Sequence, residues 1–253
     1  MNGDGSAKDT WHFEFSLEGS GLTYEDGDAL GVRPTKCAEL AEEILRVPGR
    51  HVTIGAMTDS VSLCFGLLAG GLSSRMGTDK ASLDWRGQPL WQHQLRLAAE
   101  IGANEILISG KPDGPYRDAA KTVADEFPGR GPLAGLAALL AAMKSDWLVA
   151  VAVDMPFLDR TTLGLLLDAR GDGRGVVPTI AGRAEPLAAI YPRALAKLAR
   201  VKAGSSDRSL QAFVCDAEAA GLVRLLPWNA ERAGCFRSVN TRADWAAAHG
   251  RKS

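Results

Sequence analysis

The chain has 253 residues, enough for one large α/β domain or for a domain of about 200 residues with an appendage. With 46% hydrophobic and 23% charged residues it has the material for a packed core, which excludes a miniprotein and a globally disordered chain. A net charge of −1 conceals an asymmetry: residues 1–60 carry 11 acids against 5 bases and the remainder 19 acids against 24 bases, a mildly basic domain that suits an anionic small molecule better than nucleic acid.

The longest apolar stretches, Val61–Leu72 and Trp147–Leu158, are too short to cross a bilayer and read as buried strands running into loops. No membrane partner is expected. Met1–Thr10 has neither a basic flank nor an apolar core, so it does not read as a secretory signal and the expected location is the cytoplasm. Cys37, Cys64, Cys215 and Cys235 show no paired C-x-x-C spacing; buried, inert thiols are the expectation.

In chain order, residues 1–60 stand apart from residues 61–253, with Val47–Ser60, carrying Pro48, Gly49 and Gly55, as the expected linker. From Val61 the pattern alternates strand-length apolar runs with helical ones. Val61–Leu68 reads as a first strand entering Gly-rich chain, and Pro89–Ile101 as a helix with apolar residues at Leu90, Trp91, Leu95, Leu97, Ala98 and Ile101. Asn104–Ser109 and Lys121–Ala124 read as the next strands, Pro132–Met143 as an Ala/Leu helix, and Trp147–Val153 as a strand apolar on both faces. Gly175–Ile180 and Glu185–Tyr191, joined by Ala181-Gly182-Arg183, predict a β-hairpin insertion. Helices near Arg193–Val201 and Asp207–Val214, a strand near Val223–Leu226 and a helix over Arg242–His249 follow. This βαβ order predicts an α/β fold with a mostly parallel, twisted sheet and helices on both faces, so that ligands bind beyond the carboxyl ends of the strands.

The segment after the first strand, Leu68-Ala69-Gly70-Gly71-Leu72-Ser73-Ser74-Arg75-Met76-Gly77-Thr78-Asp79-Lys80, is the richest in the chain. Glycines let the backbone approach a phosphate and aim N–H groups at it, and Arg75 and Lys80 add positive charge; a Gly-rich turn with two solvated cations is the plainer reading. Neither a Walker P-loop nor a Gly-x-Gly-x-x-Gly fingerprint is present. Asp154 ends the most buried strand, where a carboxylate is costly unless it meets a metal or hydrogen-bond donors; its plainer reading is a cap before a helix. Asp125 ends another extended segment, and Gly131–Gly135 leads into a helix N-terminus suited to a ribose or phosphate.

The pattern Leu-Ala-Gly-Gly-x-Ser-x-Arg-Met-Gly-x-x-Lys resembles the signature of nucleotidyltransferases that include molybdenum cofactor guanylyltransferase. The resemblance continues through Val123-Ala124-Asp125, Gly131-Pro132-Leu133-Ala134-Gly135, Val153-Asp154-Met155-Pro156-Phe157-Leu158, Glu185–Tyr191 and Phe236-Arg237-Ser238-Val239-Asn240-Thr241 with Asp244, over about residues 62–249. It implies a Rossmann-like three-layer domain that transfers GMP from GTP to molybdopterin, releases pyrophosphate and needs Mg²⁺. By this resemblance Lys80, Arg75 and Asp154 are catalytic, with Asp154 on the metal. Leu68, Ala69, Gly70, Gly71, Lys80, Ser109, Asp125, Gly131, Pro132 and Asp154 bind the nucleotide, and Arg183, Glu185 and Asn240 meet the acceptor; Arg183 reads equally as a solvated hairpin tip. The family's Asn-rich segment is here Ser109-Gly110-Lys111-Pro112. Guanine is favoured because related cytidylyltransferases tend to carry Ala where Gly70 stands. Cytidylyl transfer, transfer to another phosphorylated acceptor, and a non-catalytic module delivering cofactor to molybdoenzyme apoproteins are the alternatives.

Residues 11–46, including Phe13-Glu14-Phe15 and Leu22-Thr23-Tyr24-Glu25-Asp26-Gly27-Asp28, resemble the start of the FAD-binding domain of sulfite reductase flavoprotein. The Arg-x-Tyr-Ser block and later glycine motifs of that family do not occur before the transferase pattern begins, so the segment reads as a truncated remnant, and no flavin is expected.

Overall fold

Leu63–Leu68 forms β1, and its side chains alternate between two layers: Leu63, Phe65 and Leu67 belong to one core, Cys64 and Leu68 to the other. The computed structural model describes residues 62–70 and 79–249, so the expectations for residues 1–60, for Gly71 and for Arg75 lie outside the described residues. After β1 come β2 (Asp84–Trp85), β3 (Gln88–Pro89), α1 (Leu90–Glu100), β4 (Glu105–Ser109), β5 (Lys121–Val123) and α2 (Pro132–Ala142). β6 (Trp147–Ala152), α3 (Arg160–Ala169), β7 (Gly175–Ile180), β8 (Arg183–Ala184), β9 (Ala188–Pro192), α4 (Ala196–Gly204), α5 (Leu210–Ala219), β10 (Val223–Pro227) and α6 (Arg242–His249) follow.

The main sheet runs β10-β7-β9-β6-β1-β4-β5, with β8 paired to β7. β4, β1 and β6 are parallel neighbours, as are β4 with β5 and β7 with β10; β9 is antiparallel to both β6 and β7. The sheet is thus mixed but mostly parallel. The carboxyl ends of β1, β4, β5, β6, β7 and β10 share one edge, and the amino end of β9 joins them there. Phe65, Val149, Val151 and Ile190 pack with Leu90 and Leu97 of α1 and Leu163 and Leu166 of α3. On the opposite face Cys64, Leu148 and Tyr191 pack with Leu136 and Leu139 of α2, Ala199 of α4 and Phe213 of α5. Gly66 makes close layering possible, because a Cβ there would lie 2.6 Å from Leu148 Cδ1.

Local chemistry sets the boundaries. α1 ends on Gly102 at φ 69°, with Gly102 N–H bonded to Ala99 O and Ala103 N–H to Ala98 O at 3.1 and 2.9 Å, a Schellman stop. The Asp159 carboxylate accepts the Thr162 amide at 2.7 Å and starts α3, a helix the apolar spacing had not singled out. α5 begins at Leu210 rather than Asp207, because Ser209 supplies its cap; Asp207 instead pairs with Lys202 at 3.1 Å.

The hairpin is present, with its long arms built into the main sheet. Its turn is Ala181-Gly182, both at positive φ, which leaves Arg183 as the first residue of β8 opposite Ile180. The expected single strand Glu185–Tyr191 is split. Pro186 has no N–H to offer, Glu185 N–H turns back to Pro178 O, and pairing resumes at Ala188 beside Val151. The thiols need one correction. Cys64 is buried, which pushes it up to about 12, but Cys215 is exposed, because α5 buries Phe213, Val214 and Ala217 instead.

Candidate active site

Three of the residues singled out by sequence meet directly at the carboxyl edge. Lys80, opening a 3₁₀ turn capped by the Asp79 carboxylate, places Nζ 3.0 Å from Asp154 Oδ2 and 2.6 Å from Asn240 Oδ1. The Lys80 and Asp154 side chains are 22% and 19% exposed, so water reaches the pair without dominating it. Asp154 follows β6, and its carbonyl accepts the Val239 amide at 2.8 Å. Asn240 is set by a reciprocal cap at the start of α6: Asp244 Oδ2 accepts the amides of Asn240 and Thr241 at 3.2 and 2.8 Å, and Asp244 N–H donates to Thr241 Oγ1. Hydrogen bonds from Thr241 hold the Asp244 carboxyl below its ordinary pKa. Asn240, expected on the acceptor side, bonds Lys80 here.

The turn after β1 is tied to its neighbours. Leu68 O accepts Val153 N–H at 3.0 Å, and Ser109 O accepts the amides of both Ala69 and Gly70 at 2.8 and 2.9 Å. The expectation that this turn aims its amides at a phosphate is not met at Ala69 and Gly70, whose N–H groups are taken by that carbonyl. Ser109 itself is 3% exposed and faces α2, where a Cβ on Gly135 would lie 2.5 Å from its Oγ. Its hydroxyl is thus turned into the layer below the edge. A Cβ on Gly70, by contrast, would sit 3.6 Å from Ser109 O, an ordinary contact.

The remaining candidates lie along the same edge. Asp125, two residues past β5, is half-buried, its Oδ1 is enclosed with no hydrogen-bond partner among the described residues, and burial raises its carboxyl pKa. Gly131, at φ 84°, and Pro132 open α2. Arg183 is exposed and Glu185 half-buried; burial raises the Glu185 carboxyl and the Arg183 guanidinium partly offsets this. Leu187 O accepts Ala152 N–H at 2.9 Å, which lays the Glu185–Leu187 segment beside the end of β6.

Gln94 and His93, beneath Asp154, belong to no motif in the sequence. Gln94, wholly buried in α1, donates from Nε2 to Met155 O at 2.8 Å, and His93 Nε2 lies 3.0 Å from Pro156 O. Trp85 packs edge-on against Phe157 and Trp245, and the Arg237 guanidinium stacks over Phe157 at 4.3 Å. The available signal was Gln94 itself, an amide on the same helix stripe as Leu90, Leu97 and Ala98.

A mostly parallel sheet whose carboxyl edge joins a lysine, a carboxylate and an amide, in a chain with Gly-rich sequence after β1, defines a nucleotidyltransferase domain. The chain belongs to the family of MobA-like NTP transferase domains, whose model matches residues 66–220. It is 41% identical over 167 residues to a probable molybdenum cofactor guanylyltransferase of Opitutus terrae, covering 64% of this chain and 80% of that one. It is 45% identical over 102 residues to a molybdenum cofactor guanylyltransferase of Xanthomonas euvesicatoria, covering 40% and 51%. Among solved structures, molybdopterin-guanine dinucleotide biosynthesis protein A of Archaeoglobus fulgidus has the same fold, with a TM-score of 0.59, 21% identity, and coverage of 73% of this chain and 96% of that one. No helix among the described residues is long and apolar enough to cross a membrane.

Proposed function

We propose that the chain transfers GMP from GTP to the terminal phosphate of molybdopterin and releases pyrophosphate. The observation that carries this reading is the Lys80–Asp154–Asn240 contact at the carboxyl edge of a sheet in a MobA-like NTP transferase domain. The relatives' names, molybdenum cofactor guanylyltransferase, support a guanylyl group as the one transferred and a molybdenum cofactor as its acceptor.

The reaction brings an anionic phosphate to the α-phosphate of an anionic triphosphate. An oxygen of the acceptor phosphate forms a bond to the α-phosphorus while the bond to the β-bridging oxygen breaks, and pyrophosphate carries away the electron pair. Little proton transfer is needed, so the protein's tasks are to neutralise charge and to align the reacting groups. Lys80, held between two oxygens and partly shielded from water, presents an ammonium where the triphosphate arrives. Asn240 fixes the direction of that ammonium, and Asp244 fixes Asn240.

The donor set fits Mg²⁺. No group of three or more metal-ligating side chains occurs among the described residues, and Mg²⁺ bound with nucleotides takes one or two carboxylates and completes its shell with phosphates and water. Asp154 would hold the ion, and the ion would supply positive charge to the phosphates. Leu68, Ala69, Gly70 and Asp125 would border the nucleotide, with Gly131 and Pro132 at the α2 N-terminus. Gly71 and Arg75 belong to the same reading. Arg183 and Glu185 would face the acceptor. Delivery proteins and molybdoenzyme apoproteins would take the product, and the cytoplasm is the expected place of reaction.

The test is to supply purified protein with molybdopterin, Mg²⁺ and GTP, CTP or ATP, and to follow pyrophosphate and the dinucleotide product. Formation of the guanine dinucleotide with GTP preferred supports the reading. Preference for CTP, or nucleotide binding without turnover, overturns it.

A further inference from the structure

Asp154 sits in a four-residue turn, Val153–Pro156, whose carbonyls are all accounted for. Gln94 Nε2 donates to Met155 O at 2.8 Å and lies 3.5 Å from Val153 O. Val239 N–H takes Asp154 O at 2.8 Å, and His93 Nε2 reaches Pro156 O at 3.0 Å. Two adjacent residues of α1 therefore hold three of these carbonyls.

The chemistry of the partners fixes both side chains. Two carbonyls facing one end of the Gln94 amide require its NH₂ there, because the oxygen would meet only acceptors. His93 Nδ1 lies 3.3 Å from Arg96 Nη2, a donor, so Nδ1 accepts and Nε2 carries the hydrogen given to Pro156 O. Gln94 occupies a position on the buried stripe of α1 where an apolar side chain would satisfy packing alone. An amide stands there instead, donating to the backbone on both sides of the carboxylate.

We propose that Gln94 and His93 are positioning residues for Asp154: acting through the backbone of residues 153–156, they fix the carboxylate where it meets the divalent ion of the nucleotide complex. Neither touches a reacting atom. The inference rests on the reading of Asp154 as the Mg²⁺ ligand. Misplacement of about 1 Å at such a group can cost about 100-fold in rate, so small shifts of this turn matter more to chemistry than to folding.

The experiment measures Mn²⁺ affinity in the presence and absence of GTP by electron paramagnetic resonance. It adds kcat and KM for molybdopterin and the melting temperature, on the full chain and on Gln94→Met, His93→Leu and His93→Gln. The expected result is that Gln94→Met and His93→Leu each weaken GTP-dependent Mn²⁺ binding by about tenfold or more and lower kcat by a similar factor, with KM for molybdopterin unchanged. His93→Gln, which keeps a donor at the same reach, restores both. Wild-type Mn²⁺ affinity and kcat in Gln94→Met and His93→Leu overturn the proposal. Equal losses in His93→Gln and His93→Leu also overturn it, since only packing would then be at stake. A wild-type protein whose Mn²⁺ affinity does not respond to GTP overturns the reading of Asp154 itself and the proposal with it.

Discussion

Replacing Lys80 with Met keeps much of the side chain's length and removes the ammonium. At the 3.0 Å separation seen between Nζ and Asp154 Oδ2, unit charges in a medium of effective dielectric about 20 interact by about 5 kcal/mol. A phosphate oxygen brought to a similar separation would be attracted to a similar extent. With the side chain about one-fifth exposed, water and salt remove a good part of this, and a surviving difference of about 3 kcal/mol between wild type and variant corresponds to about a 100-fold loss, in line with the loss of one preorganised donor. Lys80→Met should thus lower kcat/KM for GTP about 100-fold or more, read as pyrophosphate release with molybdopterin and Mg²⁺ saturating. Thermal unfolding should change little, because the pair is partly solvated and its loss costs about 1 kcal/mol. A variant within fivefold of wild-type kcat/KM, at matched stability, would refute the role given to this charge.

Other substitutions separate scaffold from site. Gly135→Ala brings a methyl group against Ser109 Oγ and should destabilise by about 1–3 kcal/mol in urea melts, partly recovered in the double variant with Ser109→Ala. Asp125→Asn should raise the melting temperature at pH 7 while reducing nucleotide affinity. Burial raises this carboxyl, so its stabilising influence is complete below the unfolded pKa and disappears as pH rises through the folded one. Glu105 has the opposite sign. Burial alone would raise it, but the amides of Lys144 and Ser145 and the Ser145 hydroxyl outweigh burial and hold it below its ordinary value. Its contribution is present above the unfolded pKa and is lost as pH falls through the folded one. Glu105→Gln should therefore flatten the acid limb of the stability profile, measured by melting between pH 3 and 7. Gly70→Ala should fold with an unchanged melting temperature, and any shift in the ratio of GTP to CTP use would then report on the nucleotide alone.

What could be read in advance follows from how local each cause is. β1 and β6 were visible because strands buried on both faces are apolar at every position, as in Trp147–Ala152. Lys80 and Asp154 stood out because charge beside a Gly-rich turn, or at the end of a buried strand, has few bland uses. The hairpin reading carried the direction of β9 but not its place: Ala188–Pro192 is short and buried at every residue, and nothing local sets it between β7 and β6 in the main sheet. α3 was not predicted, although the Asp159 cap and the spacing of Leu163, Leu166 and Leu167 mark it. The Lys80–Asn240 bond joins residues 160 positions apart, and no local pattern encodes such a meeting. The same holds for Gln94, whose partners lie on another element, and for Ser109, whose carbonyl proved more consequential than its hydroxyl.

The turn after β1 asks of Ser109 only its main-chain oxygen, while the packing of α2 limits the side chain that stands there. At Gly70 the fold leaves room for a methyl group. Replacement at this position is thereby uncoupled from the stability of the surrounding architecture, and a lineage could sample side chains at Gly70 without passing through a misfolded ancestor.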